Sequence, residues 1–426
     1  MNKLFLIGSA LLALLTTSLR AGVQPPARAR KVVFIIADGI PADVLEKATT
    51  PNIKKVMAAG TYLPAYVGGE LGTYTQTPTI SAPGYMDLIT GTWGYKHNVW
   101  DNAVKAPNYQ YQNIFRLLKE ARPAAKLGIF STWLDNRTKL VGEGLPAAGN
   151  VTFDYHADGY DLDTVAFPHD KGSLYTHAID DKVVAEAAQC LRQNAPDLSW
   201  VYLEYTDDMG HRYGDSEQQQ RAVGYVDEQV GRIWAAIQAR TKHHAEDWLL
   251  VLTTDHGRDA ATGKNHGGQS ARERTTWLVL SDKNVNSYAR RQPAAIVDVL
   301  PTIAHFMQLP LPQATQRELD GVPLIGPVSL AQPRVAAGSD SLRLSWTALG
   351  TKTEKVKVWL TPTNNFKTGS PDQYRLLATV PLARQRLAFS RAAYPEAFYK
   401  IVLEGEHNTL NCWLMPAGPP SPSAHK

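Results

Sequence analysis

Residues 31–39 read Lys-Val-Val-Phe-Ile-Ile-Ala-Asp-Gly, an apolar run that ends in an acid and a glycine. An apolar run of this length is typical of a strand that is buried on both faces of a parallel sheet. Similar runs recur at residues 127–130, 200–205, 248–252 and 277–280. Helical patterns lie between them, and the clearest is at residues 216–240, where valines and isoleucines share one face. Strands that alternate with helices predict an α/β domain with a doubly wound, mostly parallel sheet.

The composition is that of an ordinary globular protein, with 426 residues, 44% of them hydrophobic and 20% charged. Collagen-like and disordered classes are therefore excluded. Lys and Arg total 44 against 40 Asp and Glu, which leaves a net charge of +4. This excess is too small for a protein that coats nucleic acid or a polybasic membrane binder. We therefore expect no binding to nucleic-acid duplexes.

The N-terminal residues 1–21 have the pattern of a secretory signal: a Lys near the start, an apolar run at residues 4–19 and a small residue, Ala21. The apolar run is shorter than the about 20 residues that a bilayer span needs. We predict a signal peptide at residues 1–21, a periplasmic or secreted protein, and no membrane span after cleavage. A retained N-terminal anchor is the alternative.

The hydropathy pattern of the sequence changes near Pro333. Short alternating segments such as residues 342–346 and 356–360 replace the helical patterns, and Gly, Asn and Pro turns separate them. This pattern predicts a C-terminal all-β sandwich that resembles fibronectin type III. The predicted organisation is a catalytic domain at residues 22–330, the sandwich at 334–415 and a disordered tail at 416–426. The sandwich is a candidate for surface or glycan contact.

Acids and imidazoles follow the ends of several predicted strands. They are Asp38, Asp207, His211, Asp255, His256 and, in a Gly-flanked loop, His266. Ligands of open parallel sheets collect beyond the carboxyl ends of the strands, so these side chains should converge. Each has an ordinary explanation when taken alone: Asp38-Gly39 is a common turn or cap pair, and residues 207–211 would fit a solvated turn.

Taken together, these side chains predict a metal centre. Three carboxylates and three imidazoles are too many ligands for one tetrahedral ion, whereas they suit two ions. A pair of divalent ions about 4 Å apart clamps the attacking and leaving oxygens of a displacement at phosphorus. The pattern therefore indicates phosphoryl-transfer chemistry.

Such a site needs a nucleophile, and residues 77–85 supply hydroxyl groups just ahead of a predicted helix at residues 86–90. Unpaired backbone N–H groups at a helix N-terminus favour an anion. The alternative for this segment is a loop that only caps the helix.

The ordered set of motifs resembles the alkaline phosphatase superfamily, and within it the nucleotide pyrophosphatase/phosphodiesterase-like branch. The matching positions are Asp38, residues 78–83 (PTISAP), Thr90-Gly91, His97, Asp101-Asn102, Asp207 with Gly210-His211, residues 254–257 (TDHG), residues 266–268 (HGG) and residues 298–302 (DVLPT). The resemblance extends from about residue 31 to residue 327. The Pro-Asn-His of that branch is replaced here by Pro83-Gly84-Tyr85.

The resemblance implies roles for individual residues. Two Zn²⁺ ions per chain are expected, with Mn²⁺ or iron as alternatives. One ion would be held by Asp38, Ser81, Asp255 and His256, and the other by Asp207, His211 and His266. Ser81 falls at the position of the nucleophile, and Asn102 matches an Asn that donates to a non-bridging phosphate oxygen.

The resemblance leaves the substrate class open. Arg137 lies where some monoesterases of the superfamily carry a Lys-x-Arg pair, while Asp135 takes the place of the Lys. A dianionic monoester needs more positive charge than a monoanionic diester, so Arg137 is a candidate substrate-binding residue. We expect a small phosphoester substrate, with a phosphodiesterase or nucleotide pyrophosphatase favoured over an alkaline phosphomonoesterase. The alternative from another class is a non-catalytic binding or adhesion protein on a degenerate hydrolase fold.

Overall fold

The computed structural model describes residues 28–416. The predicted signal peptide at residues 1–21 and the predicted tail beyond residue 416 lie outside this part of the chain. Among the helices of residues 28–416, none combines the length and the apolar character that crossing a bilayer requires.

The N-terminal part, up to about residue 327, is built on a sheet of eight described strands in the order β4-β3-β5-β1-β6-β7-β2-β8. The strands are β1 Ala29–Ala37, β2 Thr61–Tyr66, β3 Leu127–Ser131, β4 Tyr155–Ala157, β5 Leu198–Leu203, β6 Glu246–Thr253, β7 Thr275–Leu280 and β8 Ala294–Ala295. Strand β7 pairs antiparallel with β6 and β2, and the other pairs are parallel. The predicted doubly wound, mostly parallel sheet is confirmed.

Helices cover both faces of this sheet. They are α1 Ala42–Lys47, α2 Pro51–Ala59, α3 Ser81–Thr90, α4 Gly94–His97, α5 Ile114–Ala121, α6 Leu174–Gln193, α7 Tyr205–Tyr213, α8 Glu217–His243, α9 Ala271–Arg274, α10 Val299–Phe306 and α11 Gln313–Gln316. Alternate residues of β1 enter two separate cores: Val32, Phe34 and Ile36 pack with α3, α5 and α10, whereas Val33, Ile35 and Ala37 pack with α2, α6 and α8. Burial on both faces explains why β1 reads as one continuous apolar run.

The C-terminal part consists of two antiparallel sheets. Its strands are β9 Leu330–Ala337, β10 Ser341–Ala348, β11 Lys355–Thr361, β12 Arg375–Pro381, β13 Arg386–Ser390, β14 Tyr399–Glu404 and β15 Thr409–Leu414. The sheet orders are β13-β10-β9 and β12-β11-β14-β15. The prediction of a C-terminal all-β region is confirmed, while its specific likeness to fibronectin type III and the domain boundaries remain predictions.

A buried polar contact joins the two parts. The ammonium group of Lys96, at the end of α4, donates to Asp320 at 2.7 Å, to the backbone carbonyl of Glu318 at 2.6 Å and to Asn411 of β15 at 3.0 Å. The side chain of Lys96 is fully buried. A buried ammonium group needs such partners, because an unpaired charge away from water is strongly destabilising.

Candidate metal centre

Three neighbouring strands deliver the predicted ligands to one end of the sheet. Asp38 follows β1, Asp255 and His256 follow β6, and Asp207 lies on α7, which begins shortly after β5. Because β5, β1 and β6 are adjacent and parallel, their carboxyl ends lie side by side. This arrangement brings the predicted side chains together, as the rule for open sheets anticipates.

The segment that carries Asp207 and His211 is helical and is not a solvated turn. Helix α7 runs from Tyr205 to Tyr213, so the two side chains are four residues apart on one helix face. Nε2 of His211 lies 3.2 Å from Oδ2 of Asp207. The helix therefore presents both groups in the same direction.

The first cluster surrounds the imidazole of His256. Its Nε2 atom lies 3.3 Å from Oδ1 of Asp38, 3.4 Å from Oδ2 of Asp255 and 3.4 Å from Oγ of Ser81. Its Nδ1 atom lies 3.0 Å from the carbonyl oxygen of Gly257. A proton on Nδ1 that is donated to this carbonyl leaves the lone pair of Nε2 facing the cluster.

The second cluster is formed by Asp207, His211 and His266. The Nε2 atoms of the two histidines are 3.0 Å apart. Nδ1 of His266 lies 2.9 Å from the carbonyl oxygen of Thr79, which again orients Nε2 toward the cluster. Oδ1 of Asp207 lies 3.9 Å from Nε2 of both His256 and His266, so Asp207 connects the two clusters.

The chemistry of these groups fits divalent cations. Asp207, His211 and His266 offer ligand atoms within 4.8 Å of one another, and so do Asp38, Asp207 and His256. Oδ1 of Asp38 and Oδ2 of Asp255 are buried and have no hydrogen-bond partner in the described part of the chain. Buried carboxylate oxygens without partners are costly, and a bound cation would satisfy both of them.

The burial of so many ionisable groups displaces their pKa values. Burial, with the nearby charge of Asp38, raises the pKa of Asp255 well above the usual carboxyl range. Burial opposes protonation of His256, but the carboxylates of Asp255 and Asp38 raise its pKa to about 9. Burial and the neighbouring His256 lower the pKa of His266 to about 3. These groups compete for protons, and a cation that binds them would take the place of those protons.

Ser81 is the first residue of α3 and is buried at the edge of the first cluster. The next residue, Ala82, donates its backbone N–H to Oδ1 of Asn102 at 2.9 Å. This bond fixes the amide of Asn102 beside the start of α3. It uses only the amide oxygen, so the NH₂ group is not engaged by it. The structure therefore places Ser81 and Asn102 together, twenty-one residues apart in sequence.

Arg137 is engaged by acids. Its Nε and Nη2 atoms donate to the two carboxylate oxygens of Asp158 at 2.6 and 2.9 Å, and Nη1 contacts Glu143. A guanidinium paired in this way has little donor capacity left for a phosphate. These pairings do not support the predicted role of Arg137 in substrate binding, which stays a prediction.

Two tyrosines hold the carboxylate of Asp38, and the sequence had not indicated either role. The hydroxyl groups of Tyr85 and Tyr202 both donate to Oδ2 of Asp38, the latter at 2.7 Å. Oδ1 is thereby left as the available ligand atom. Tyr85 occupies the position at which the nucleotide pyrophosphatase/phosphodiesterase-like branch has His. The preceding residue, Gly84, allows α3 to approach Asp255 closely, because a Cβ atom on residue 84 would lie 3.0 Å from the backbone oxygen of Asp255.

Arg258 plays a similar part for Asp207. Its guanidinium is buried, contacts Oδ1 of Asp207 and donates to the backbone oxygens of Gly39, Lys264 and Asp207 at 2.9–3.0 Å. Burial would raise the pKa of Asp207, but the hydrogen bond from His211 and the charge of Arg258 hold it well below the usual range. In the sequence, Arg258 could have been linked to the metal centre only because it directly follows the TDHG motif.

Comparisons with known proteins agree with this architecture. Human (Homo sapiens) ectonucleotide pyrophosphatase/phosphodiesterase family member 7 is 27% identical over 273 residues, which is 59% of this chain and 53% of that protein. Member 3 of the same family from Rattus norvegicus is 23% identical over 280 residues, 64% of this chain and 28% of that protein. This chain thus spans about half of the first relative and less of the second. GPI ethanolamine phosphate transferase 2 of Schizosaccharomyces pombe is 24% identical over 315 residues, 68% of this chain and 38% of that protein.

Among solved structures, a candidate sulfatase from Bacteroides thetaiotaomicron superposes with a TM-score of 0.50 at 12% identity, covering 86% of each chain. This likeness shows the fold alone. The family model described as type I phosphodiesterase / nucleotide pyrophosphatase matches residues 32–305. Because this match covers more than half of the chain and includes the whole candidate centre, the protein belongs to the type I phosphodiesterase / nucleotide pyrophosphatase family.

Proposed function

We propose that this protein is an exported hydrolase that cleaves phosphate diesters with two Zn²⁺ ions and Ser81 as the nucleophile. Asp38, Ser81, Asp255 and His256 would hold one ion. Asp207, His211 and His266 would hold the other. The proposal includes nucleotide pyrophosphatase activity, because the family description and the names of its relatives refer to it.

One observation carries the proposal: a buried serine hydroxyl lies within 3.4 Å of the imidazole that also faces the two unpaired carboxylate oxygens. A serine hydroxyl is a weak nucleophile at its ordinary pKa, and nearby cations favour its alkoxide. Ser81 also begins a helix, where backbone N–H groups favour a bound anion. The arrangement therefore suits attack on a phosphoester.

The proposed reaction has two displacements at phosphorus. Oγ of Ser81 gives its proton to solvent water and bonds to phosphorus while the bond from phosphorus to the leaving alcohol breaks, and the solvent returns one proton to that alcohol as it departs. A water molecule then attacks the phosphoryl-Ser81 intermediate, which releases the product and restores the hydroxyl. Bound divalent ions would supply charge stabilisation for the attacking and leaving oxygens. The NH₂ group of Asn102 would donate to a non-bridging oxygen.

The charges around the site favour diesters. Two Zn²⁺ ions, three aspartates and a Ser81 alkoxide sum to about zero, and the Arg258 guanidinium on Asp207 adds one positive charge. A monoanionic diester balances that charge, whereas a dianionic monoester leaves an excess negative charge. The pairing of Arg137 with Asp158 and Glu143 points the same way, because the monoesterase alternative relied on a free Arg137.

The test is a comparison of model substrates. Chelator-treated protein is assayed with bis(p-nitrophenyl) phosphate, p-nitrophenyl phosphate and p-nitrophenyl sulfate, before and after Zn²⁺ is restored, and also with Mn²⁺ or Fe²⁺. We expect the diester to be hydrolysed fastest and only with metal. Fastest turnover of the monoester would favour the phosphomonoesterase alternative, and no turnover with two bound ions would favour a binding protein.

The nucleophile has its own control. Ser81→Ala should abolish turnover, because it removes the attacking oxygen, while leaving most metal binding to the remaining six ligands. The exposed Ser370 offers a matched Ser→Ala change that should leave turnover intact. Full activity in Ser81→Ala would refute the assignment. Export is tested separately, by fractionating cells that express the full chain with and without residues 1–21.

A further inference from the structure

The outer face of the three-stranded C-terminal sheet carries a cluster of arginines. Along β10, Leu342, Leu344 and Trp346 are buried in the core, and the alternating positions Arg343 and Ser345 are exposed. Residues that alternate along a strand point to opposite faces. The side chains of Arg343 and Ser345 therefore belong to the solvent face of this sheet.

The strand register gathers further arginines around these positions. Arg343 has an alanine opposite it on each neighbouring strand, and Ser345 has Arg334 opposite it on β9 and Arg386 opposite it on β13. Neighbouring strands are about 4.8 Å apart, so Arg334 and Arg386 lie about 10 Å apart across β10. The short side chains of these alanines leave space above the sheet between the arginines.

A cavity of about 450 Å³ occupies this position, and four arginines line it: Arg334, Arg343, Arg384 and Arg386. We call these residues with their cavity the arginine face. Within residues 28–416, the salt bridges of these side chains are limited to one, between Arg334 and Glu70, whose side chains are 63% and 51% exposed. Exposed pairs of that kind are weak, so the face carries nearly its full positive charge.

We propose that the arginine face binds an acidic polysaccharide. Guanidinium groups pair in a bidentate manner with carboxylate, sulfate and phosphate groups. A 450 Å³ concavity with aliphatic walls suits a short segment of a sugar chain that enters it, and a flat bilayer surface would not fill it.

The lining of the cavity distinguishes this partner from nucleic acid. Strands of RNA or DNA are held by aromatic side chains on which the bases stack, and no aromatic residue is among those that line the cavity in the described part of the chain. The net charge of +4 on the whole chain is also low for a protein that tracks a phosphate backbone. No residue of the candidate metal centre lines the cavity, so this proposal does not depend on the hydrolase activity.

The experiment measures binding of heparin and of polygalacturonate to the purified full chain at low and high salt, with neutral dextran as the uncharged probe and phosphatidylglycerol vesicles and DNA as competing polyanions. The test variant is Arg343→Gln with Arg386→Gln, which removes two charges and keeps the polar side chains. The control variant is Arg221→Gln with Arg291→Gln, which removes two exposed charges from the catalytic part. Circular dichroism melting shows whether each variant is folded, and hydrolysis of bis(p-nitrophenyl) phosphate is recorded separately.

We expect salt-sensitive binding of both acidic polysaccharides, none of dextran, and about a tenfold weaker affinity in the test variant alone. Both variants should hydrolyse bis(p-nitrophenyl) phosphate at the parental rate. If the protein proves not to be a hydrolase, the binding measurements can still be interpreted, because they do not depend on turnover. Equal loss of binding in the two variants would overturn the proposal, because it would reflect net charge. Tighter binding to phosphatidylglycerol vesicles or to DNA than to either polysaccharide would also overturn it.

Discussion

Replacement of Tyr85 by Phe tests whether the tyrosine hydroxyls position Asp38 for metal binding. The ring of Tyr85 packs edge-on against Tyr202 and Trp200, with centroids 5.1 and 6.1 Å apart. Phe preserves these contacts and removes only the hydroxyl group that donates to Oδ2 of Asp38. The change is therefore confined to one hydrogen bond at a buried carboxylate.

The expected magnitude follows from that single bond. A hydrogen bond to a charged group contributes about 1.5–3 kcal/mol, so Tyr85→Phe should lower the free energy of unfolding by about that amount. Removal of a group that orients a metal ligand costs about 10–100-fold in metal affinity. Tyr202 still holds Oδ2 at 2.7 Å, so we expect the lower part of that range.

The assay is calorimetric titration of chelator-treated protein with Zn²⁺, together with urea unfolding without metal. Tyr62→Phe is the matched control, because its hydroxyl donates to the exposed Glu46 at 2.7 Å. This control should change the free energy of unfolding by less than about 1 kcal/mol and leave Zn²⁺ affinity unchanged. Parental Zn²⁺ affinity in Tyr85→Phe, or an equal loss in Tyr62→Phe, would show that the Tyr85 hydroxyl does not position Asp38 for metal binding.

Three further changes probe other contacts. Gly210→Ala would place a Cβ 2.1 Å from Cζ of the buried Arg258, so it should lower stability by about 1–3 kcal/mol and weaken Zn²⁺ binding in calorimetry; parental affinity would contradict this. Lys96→Met removes the cationic partner of Asp320 and leaves its buried charge with hydrogen bonds from Trp93 and Tyr95 alone, so urea unfolding should show a loss of about 3 kcal/mol rather than none. Burial would raise the pKa of Asp259, but the backbone N–H groups of Asn265, Thr262 and Ala261 that donate to its carboxylate together hold that pKa well below the usual value near 3.8. Asp259→Asn should therefore be less stable than the parent above about pH 4, and the difference should shrink progressively as the pH falls from there through the lowered pKa of the folded state; a pH-independent difference would contradict it.

The fold could be predicted where burial imposes a pattern on the sequence. Strand β1 contributes to two cores and is apolar throughout, and the buried valines and isoleucines of α8 recur at helical spacing. The direction of a strand leaves no such pattern, so the antiparallel β7 could not be told from its parallel neighbours. Strand β2 was not predicted, because it contains Pro64 and a proline in a sequence argues against a strand.

The candidate site could be predicted at the residues whose chemistry stands out, since acids and imidazoles after strand ends are unusual in combination. The groups that orient them could not be found in this way. Tyr202 lies on β5 and reads as an ordinary core aromatic, and its contact with Asp38 joins residues 164 positions apart. Arg258 reads as a surface cation, yet the fold buries it against Asp207. Such pairings depend on tertiary structure, which a single sequence does not reveal.

Two cations are proposed to bind where three strand ends meet. The most direct test is anomalous diffraction at the zinc edge from crystals of Zn²⁺-loaded protein. We expect two peaks, one between Asp38, Asp255 and His256 and one between Asp207, His211 and His266. An empty centre, or zinc found only at the group that the buried Glu354 forms with Glu406 and His407, would show that this centre does not bind two cations.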